Sequence, residues 1–499
     1  MKVSITGSVN KYYVQMLCMI FFPGEHFGES EEQNENAPSL YVKTVQTETG
    51  ILAYAEISRD GNTSKAEYLT EFTDIRTEER TLKLAVGGAV LNAAATLTGY
   101  RPAWGMLIGV RPSKVASEML NAGMSKTRVK KILNTDYMVI PKKAALATDI
   151  AVTEKRIVGE GSKKDCSVYI SIPFCPTRCS YCSFVSYTSP KLLAMIPDYL
   201  EVLKADVRHT LDVIRSLGLR LASVYIGGGT PTVLNEEQLE DLLEALGDVP
   251  FGVDEFTLEA GRPDTITEGK LASAKRHGVT RVSVNTQTLN EEVLRNIGRS
   301  PSTDDYFKAY DIAEKMSFRD INVDLIAGLP GDTFESFKDS LDRITALDPT
   351  NITVHTFSVK KSAEMKTEGL DVYDRDGDIA ARSVSYSGKK LLGCEYIPYY
   401  MYRQKNTVGN LENVGYSKKD HEGLYNIFMM DEIHSVFACG ASSVTKLVGE
   451  NTSGEVIINR LFEPKYPYEY LRSDEDARNA KREALYRTAR EFYDTFGIK

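Results

Sequence analysis

The chain has 499 residues, 42% of them hydrophobic and 26% charged, which allows about three domains of ~100–200 residues each and a core that needs no covalent staples. Its 60 Lys and Arg are outnumbered by 69 Asp and Glu, a formal net charge of −9, which argues against nucleic-acid binding through a broad basic face. Seven cysteines, three of them clustered, suit a reducing cytoplasmic setting far better than a disulfide framework.

Residues 1–160 read as an α+β segment. The apolar run 12–22, YYVQMLCMIFF, is too short to span a membrane, which takes about 18 residues or more. No small-residue cleavage site follows it, so it reads as a buried strand rather than a signal peptide. An acidic loop, 28–36, precedes strand-like runs at 40–47 and 51–58. From Glu78 the period turns helical, with Leu82, Val86, Val90 and Ala94 four apart, and Arg101-Pro102 closes the pattern. Two short helices, 113–121 and 125–133, join through Gly123. They carry Lys126, Arg128, Lys130 and Lys131, read as a solvated basic face rather than a DNA-binding helix pair.

From Cys166 to about residue 360 the pattern alternates. Strand-like runs at 168–173, 222–227, 255–260, 281–285, 322–327 and 352–357 are separated by helix-like segments. In the helix 236–246, Leu239, Leu242, Leu243 and Leu246 share one face that can cover a sheet. Six β/α units imply parallel strands with right-handed crossovers, too few for a closed eight-stranded barrel. The fold class is therefore α/β, an open partial (β/α)6 barrel resembling part of a TIM barrel, whose chemistry collects at the carboxyl ends of its strands.

Cys175, Cys179 and Cys182, spaced C-x3-C-x2-C, follow the first of these strands. Three thiolates on one loop can each hold one iron of a 4Fe–4S cluster and leave the fourth iron open to a substrate or cofactor. A structural zinc site or buried inert thiols are the alternatives. Zinc sites usually add a second cysteine pair or histidines, whereas Cys18, Cys166, Cys394 and Cys439 are isolated.

The stretch 169–187, YISIPFCPTRCSYCSFVSY, resembles the signature of radical S-adenosylmethionine (SAM) enzymes. Its YISIPFC lead-in is similar to that of the oxygen-independent coproporphyrinogen dehydrogenase group, which also contains haem chaperones, and within it to the HemZ type. The resemblance implies a 4Fe–4S cluster on the three cysteines, with SAM on the fourth iron. It places Gly228, Gly229 and Thr230 at the SAM amino group, and Glu259, Gln287, Arg299 and Asp324 at further SAM positions, with Tyr169 and Tyr181 near the cofactors. The residue types suit these roles. A guanidinium pairs with a carboxylate through two parallel hydrogen bonds, and the acids and amide suit ribose hydroxyls and an amino group.

The same resemblance divides the chain into an extension, 1–160, a radical SAM barrel, 165–365, and a mixed substrate-covering domain with a helical tail, 366–499. In the last, the block 398–416, PYYMYRQKNTVGNLENVGY, offers aromatic walls and cations suited to a flat ligand with carboxylates. Arg403 and Lys405 are candidates for holding its propionates. The segment 437–443, FACGASS, resembles one that lies against the barrel mouth, and 473–492 reads as a charged surface helix. His355 and His434 read as satisfied core residues.

The implied activity is oxidative decarboxylation of coproporphyrinogen III to protoporphyrinogen IX. The implied partners are the tetrapyrrole and a low-potential donor of flavodoxin or ferredoxin type, with no nucleic acid and no membrane span. No catalytic side chain is assigned, because hydrogen abstraction by a radical needs no protein acid or base. Two departures keep other readings open. Cys182 is followed by Ser183-Phe184 where the dehydrogenases continue C-x-C, and Ser171 stands where a histidine is common in the lead-in. The alternatives are a haem-binding chaperone and a radical SAM enzyme acting on another tetrapyrrole.

Overall fold

In a computed structural model, the described residues are all but 23, 24, 26, 28–36, 160–163, 183, 185, 248, 359–377, 405, 406, 498 and 499. They divide into two units, one of residues 1–152 and 401–404, the other of residues 153–400 and 405–499. In the first, strands β1 (Lys2–Thr6), β2 (Ser39–Gln46), β3 (Gly50–Arg59) and β4 (Asn62–Glu71) form a sheet in that order. The first pair is parallel and the others antiparallel. Ile51, Ala53, Ala55 and Ile57 alternate along β3 and are buried, and the helix Glu78–Thr98 packs on β3 and β4. Gly88 permits that packing, and Gly87 permits the approach of Tyr13. A Cβ at Gly88 would come within 2.3 Å of the Tyr68 ring, and one at Gly87 within 2.5 Å of the Tyr13 hydroxyl. This helix is the one among the described residues long and apolar enough to cross a membrane, and 67% of its apolar window is buried inside the protein.

The run 12–22 is a helix, Lys11–Phe21, not the expected strand. Asn10 caps it by accepting the Tyr13 N–H at 3.1 Å. Its buried residues, Val14, Leu17, Cys18 and Phe21, have helical spacing. A run in which Gln15 is the one polar residue hides that period, because most of its outward positions are also apolar. Strand β4 leaves little trace in the sequence because its inward positions are Ser64, Ala66, Tyr68 and Thr70, while Leu69 faces out. The acidic loop 28–36 lies outside the described residues.

The second unit is built on six parallel strands, β5 (Asp165–Ile172), β6 (Arg220–Gly228), β7 (Glu255–Leu258), β8 (Arg281–Ser283), β9 (Asp320–Ala327) and β10 (Asn351–Thr356), adjacent in that order. They match the six expected runs. Ile172 pairs with Gly228, Leu258 with Val282, Ser283 with Asn322 and Ala327 with Thr356, so the carboxyl ends share one edge of the sheet. Helices such as Ile196–Ser216, with Tyr199, Leu203, Val207, Leu211 and Ile214 buried, cover it. The later chain extends both ends of the same sheet. Strand β11 (Ile397–Arg403) lies outside β12 (Glu412–Ser417), which runs antiparallel to β10. At the other end β13 (Ser435–Cys439) lies parallel to β5, followed by antiparallel β14 (Val444–Glu450) and β15 (Val456–Phe462). The tyrosine-rich block 398–416 thus supplies sheet at its two ends, in β11 and β12, with Tyr399, Tyr400 and Tyr416 buried there.

At the amino ends of the strands, Arg281 is buried with two carboxylates. Its Nε donates to Glu255 at 3.1 Å and its Nη2 lies 3.1 Å from Asp320. Other guanidinium hydrogens reach Asn351 and the carbonyls of His421 and Glu422. Glu255 also accepts the backbone N–H groups of Leu424 and Tyr425, which fixes the start of the helix Leu424–Asp431.

His434 is a core residue near the same end, bonded through Nε2 to Ser167 at 2.7 Å. Burial pushes its pKa down from 6.5 to about 4. The unfolded chain therefore binds a proton below pH 6.5 that the folded chain resists until about pH 4. Stability should fall with pH across that window by about 3 kcal/mol. Urea unfolding should show this loss in the wild type and not in His434→Gln. Equal losses in both would show that His434 is not its source.

Candidate active site

The cysteine loop begins where Pro173, lacking an N–H, ends β5. Its neck is closed by two backbone bonds, Cys175 N–H to the Tyr187 carbonyl at 3.1 Å and Tyr187 N–H to the Pro173 carbonyl at 2.9 Å. Inside it, Cys182 N–H donates to the Cys179 carbonyl, and Ser180 N–H reaches the Ile297 carbonyl. All three cysteines are free thiols; Cys175 and Cys179 are buried and Cys182 is half-buried. Burial pushes the Cys175 thiol up, while the Thr230 hydroxyl, 3.2 Å from its sulfur, and the Arg262 charge act against that.

The glycine run after β6 supports this loop from below. Gly229 N–H donates to the Ile172 carbonyl and Thr230 N–H to the Phe174 carbonyl, both at 2.8 Å. A Cβ at Gly229 would lie 2.5 Å from the Phe174 carbonyl oxygen and 3.0 Å from the Cys175 sulfur. Only glycine lets the two loops meet here.

The other candidate residues follow along the same edge. Glu259, just after β7, accepts a hydrogen bond from the Tyr225 hydroxyl. Burial and the neighbouring Asp324 charge raise its pKa, whereas for Asp324 itself burial is outweighed by His355, with Nε2 3.6 Å away, and by hydrogen bonds from Asn322 and Thr353, which lower its pKa. Asp324 also accepts the side-chain amides of Asn285 at 3.0 Å and Asn322 at 2.8 Å. Gln287 is buried with a left-handed backbone, φ 73°, pinned to β9 by its N–H to Asp324 and its carbonyl to Ile326. Arg299 is buried, with Nη2 donating to the carbonyls of Gly261, at 2.7 Å, and Asn285. Tyr169 stacks against Tyr225 and Tyr425, with centroids at 6.1 and 6.3 Å. Tyr181 packs on a cluster that includes Ile297, Ile326 and Phe357.

Two contributors escaped the sequence reading. Asn285 links Asp324 to the carbonyl that holds Arg299. Arg262 donates to Thr177 in the cysteine loop, and its only trace in the sequence is an arginine between Gly261 and Pro263-Asp264. The two cations expected at the substrate fare differently. Arg403 falls in the first unit, buried, with Nη1 donating to the Leu107 carbonyl and its guanidinium over the Trp104 ring. Lys405 lies outside the described residues. Ser171, where a histidine was expected, donates to the Ala441 carbonyl at 2.9 Å.

A triple-cysteine loop after the first strand of a parallel β/α sheet, with a glycine run after the second, defines a radical SAM protein. In agreement, the model of the radical SAM superfamily matches residues 169–344. The chain is 32% identical over 441 residues to the oxygen-independent coproporphyrinogen-III oxidase-like protein HemZ of Bacillus subtilis, covering 85% of each chain. It belongs to that HemZ family. It is also 34% identical over 197 residues to the haem chaperone HemW of B. subtilis, 39% of this chain and 51% of that one. Among solved structures it is similar to coproporphyrinogen III oxidase (HemN) of Escherichia coli, with 19% identity, TM-score 0.47, and coverage of 69% of this chain and 82% of that one.

The cofactors of such a protein are a 4Fe–4S cluster and SAM. The residues fit them: three uncrosslinked thiols on one tied-down loop, a glycine floor and a buried cation beside them. Among the described residues no three His, Cys, Asp or Glu side chains converge to share a single ion, but Cys175 lies close enough to Cys179 and Cys182 for their charges to raise its pKa. Gly229→Ala should push the loops apart. Iron and sulfide after anaerobic reconstitution should fall severalfold while far-UV circular dichroism is unchanged. Full iron content would mean the close approach is dispensable.

Proposed function

We propose that this protein catalyses the oxygen-independent oxidative decarboxylation of a propionate-bearing tetrapyrrole, coproporphyrinogen III to protoporphyrinogen IX. The observation that carries the reading is the similarity to HemZ over 85% of both chains, joined to the run of polar side chains along the strand ends. When bound, the reduced cluster and SAM supply a 5′-deoxyadenosyl radical that can take a hydrogen from a propionate side chain. Cys175, Cys179 and Cys182 each hold one iron. The backbone of Gly228, Gly229 and Thr230 receives the SAM amino group.

Arg299 faces the methionyl carboxylate. With one nitrogen fixed by two carbonyls, its plane is set before the ligand arrives, which lowers the cost of ordering it. Glu259 and Gln287 suit the ribose hydroxyls. Asp324, held by Asn285 and Asn322 and beside His355, suits an amino or hydroxyl group of the ligand. Tyr169 and Tyr181 wall the site and exclude water. The protein's contribution is placement, so that the radical meets one C–H bond.

The chaperone reading is favoured by one observation. Phe184, in the position the chaperones also fill with an aromatic, is 68% exposed, as a residue for gripping a flat ligand would be. Anaerobic turnover with dithionite, SAM and coproporphyrinogen III decides between the two. The expected products are vinyl-bearing porphyrinogen and, from substrate deuterated at the propionate Cβ, deuterium in 5′-deoxyadenosine. Any one of Cys175→Ala, Cys179→Ala or Cys182→Ala should abolish both. SAM cleavage with no deuterium transfer and no vinyl product, together with tight haem binding, would replace the decarboxylase by the chaperone.

A further inference from the structure

Arg262 has no part in the function proposed above. It lies in the loop after β7, next to Glu259 and Gly261, and its side chain is 4% exposed. Two guanidinium nitrogens, Nε and Nη2, donate to the two oxygens of Asp264 at 3.0 and 2.7 Å. The third, Nη1, donates to the Thr177 hydroxyl at 2.8 Å and lies 4.0 Å from the Cys179 sulfur. One edge of the cation is thus committed to a carboxylate that is 29% exposed, and the other is turned to the loop that carries the cysteines.

We propose that Arg262, acting through Cys179, sets the reduction potential of the cluster held by the cysteine loop, and that Asp264 moderates it. The inference rests on the cysteines holding that cluster. One-electron reduction makes a thiolate-bound cluster more negative. A fixed cation beside one of its sulfurs favours the reduced form, and more strongly where water is excluded. Arginine suits this task because its charge persists at every physiological pH. Asp264 has the opposite sign, but it stands behind the guanidinium and nearer to solvent, so its influence is weaker. Arg262 touches a ligand rather than the reacting atoms and is a positioning residue. A purely structural role, holding Thr177, would make no demand on the sign of a potential.

The test is a spectroscopic redox titration of the reconstituted full chain, with iron and sulfide measured first. Arg262→Gln should shift the ratio of reduced to oxidised cluster about tenfold towards oxidised at a given potential, which is about 59 mV more negative for a one-electron couple. Asp264→Asn should shift it the other way, and Arg262→Lys should keep most of the wild-type value. An unchanged potential in Arg262→Gln, or shifts of the same sign in Arg262→Gln and Asp264→Asn, would overturn the proposal. If Arg262→Gln loses its iron, Asp264→Asn decides alone: an upward shift supports the proposal, and none, or a downward one, overturns it. Wild-type protein that took up zinc in place of iron would defeat the cluster assignment itself, a failure visible in the metal analysis before any potential is measured.

Discussion

The ion cluster around Arg281 is the constraint on which the second unit depends. Taking a guanidinium and two carboxylates out of water costs several kcal/mol per ion unless each hydrogen-bonding site is met. Here Glu255 on β7, Asp320 on β9, Asn351 on β10 and the carbonyls of His421 and Glu422 meet them together. The cluster therefore fixes neighbouring parallel strands relative to one another. Because the strands are parallel, their opposite ends all lie toward the other edge of the sheet. The link also runs sideways. Glu255 caps the turn that presents Tyr425, Tyr425 stacks on Tyr225 at 4.4 Å, and the Tyr225 hydroxyl holds Glu259. A contact at the base thus reaches a residue at the strand tips.

At those tips the candidate site is less a pocket of independent side chains than a chain of mutual holds. Asn285 bridges Asp324 and the carbonyl under Arg299; Arg299 in turn grips Gly261, the residue before Arg262, which reaches back to the cysteine loop. As proposed, the loop after β7 would serve both cofactors, Glu259 the SAM and Arg262 the cluster. Gln287 keeps its unfavourable left-handed backbone because both its N–H and its carbonyl are tied to β9.

The sequence revealed most of what depends on local chemistry. The six barrel strands were legible because each is a branched or aromatic run between turns, and the cysteine loop because its spacing is itself the chemistry. The run 12–22 misled because its one polar residue, Gln15, marks neither period, and the decisive cap, Asn10, sits outside the run. The tyrosine block 398–416 looked like a ligand wall because its aromatics mix with cations, but sheet packing uses the same residues. Arg403 shows the limit plainly: nothing in the sequence marks that its partner is a carbonyl at Leu107. Arg262 and Asn285 were missed for the converse reason, since their importance lies in contacts between loops far apart in the chain.

The pairing of β13 with β5 has a bearing on how the protein is made. Ser171 at the end of β5 and Ala441 just after β13 are 270 positions apart, and at synthesis rates of ~5–20 residues per second that gap takes on the order of tens of seconds to cross. Through that interval β5, the strand that leads into the cysteine loop, has one bare edge of unpaired N–H and carbonyl groups, the kind of surface that recruits foreign strands. The loop also lacks the Tyr199–Ala441 and Ser171–Ala441 bonds at its root. Iron–sulfur loading during translation would meet a half-supported site. The connectivity of this sheet thus leaves the cysteine loop without its full support until β13 and Ala441 have been made.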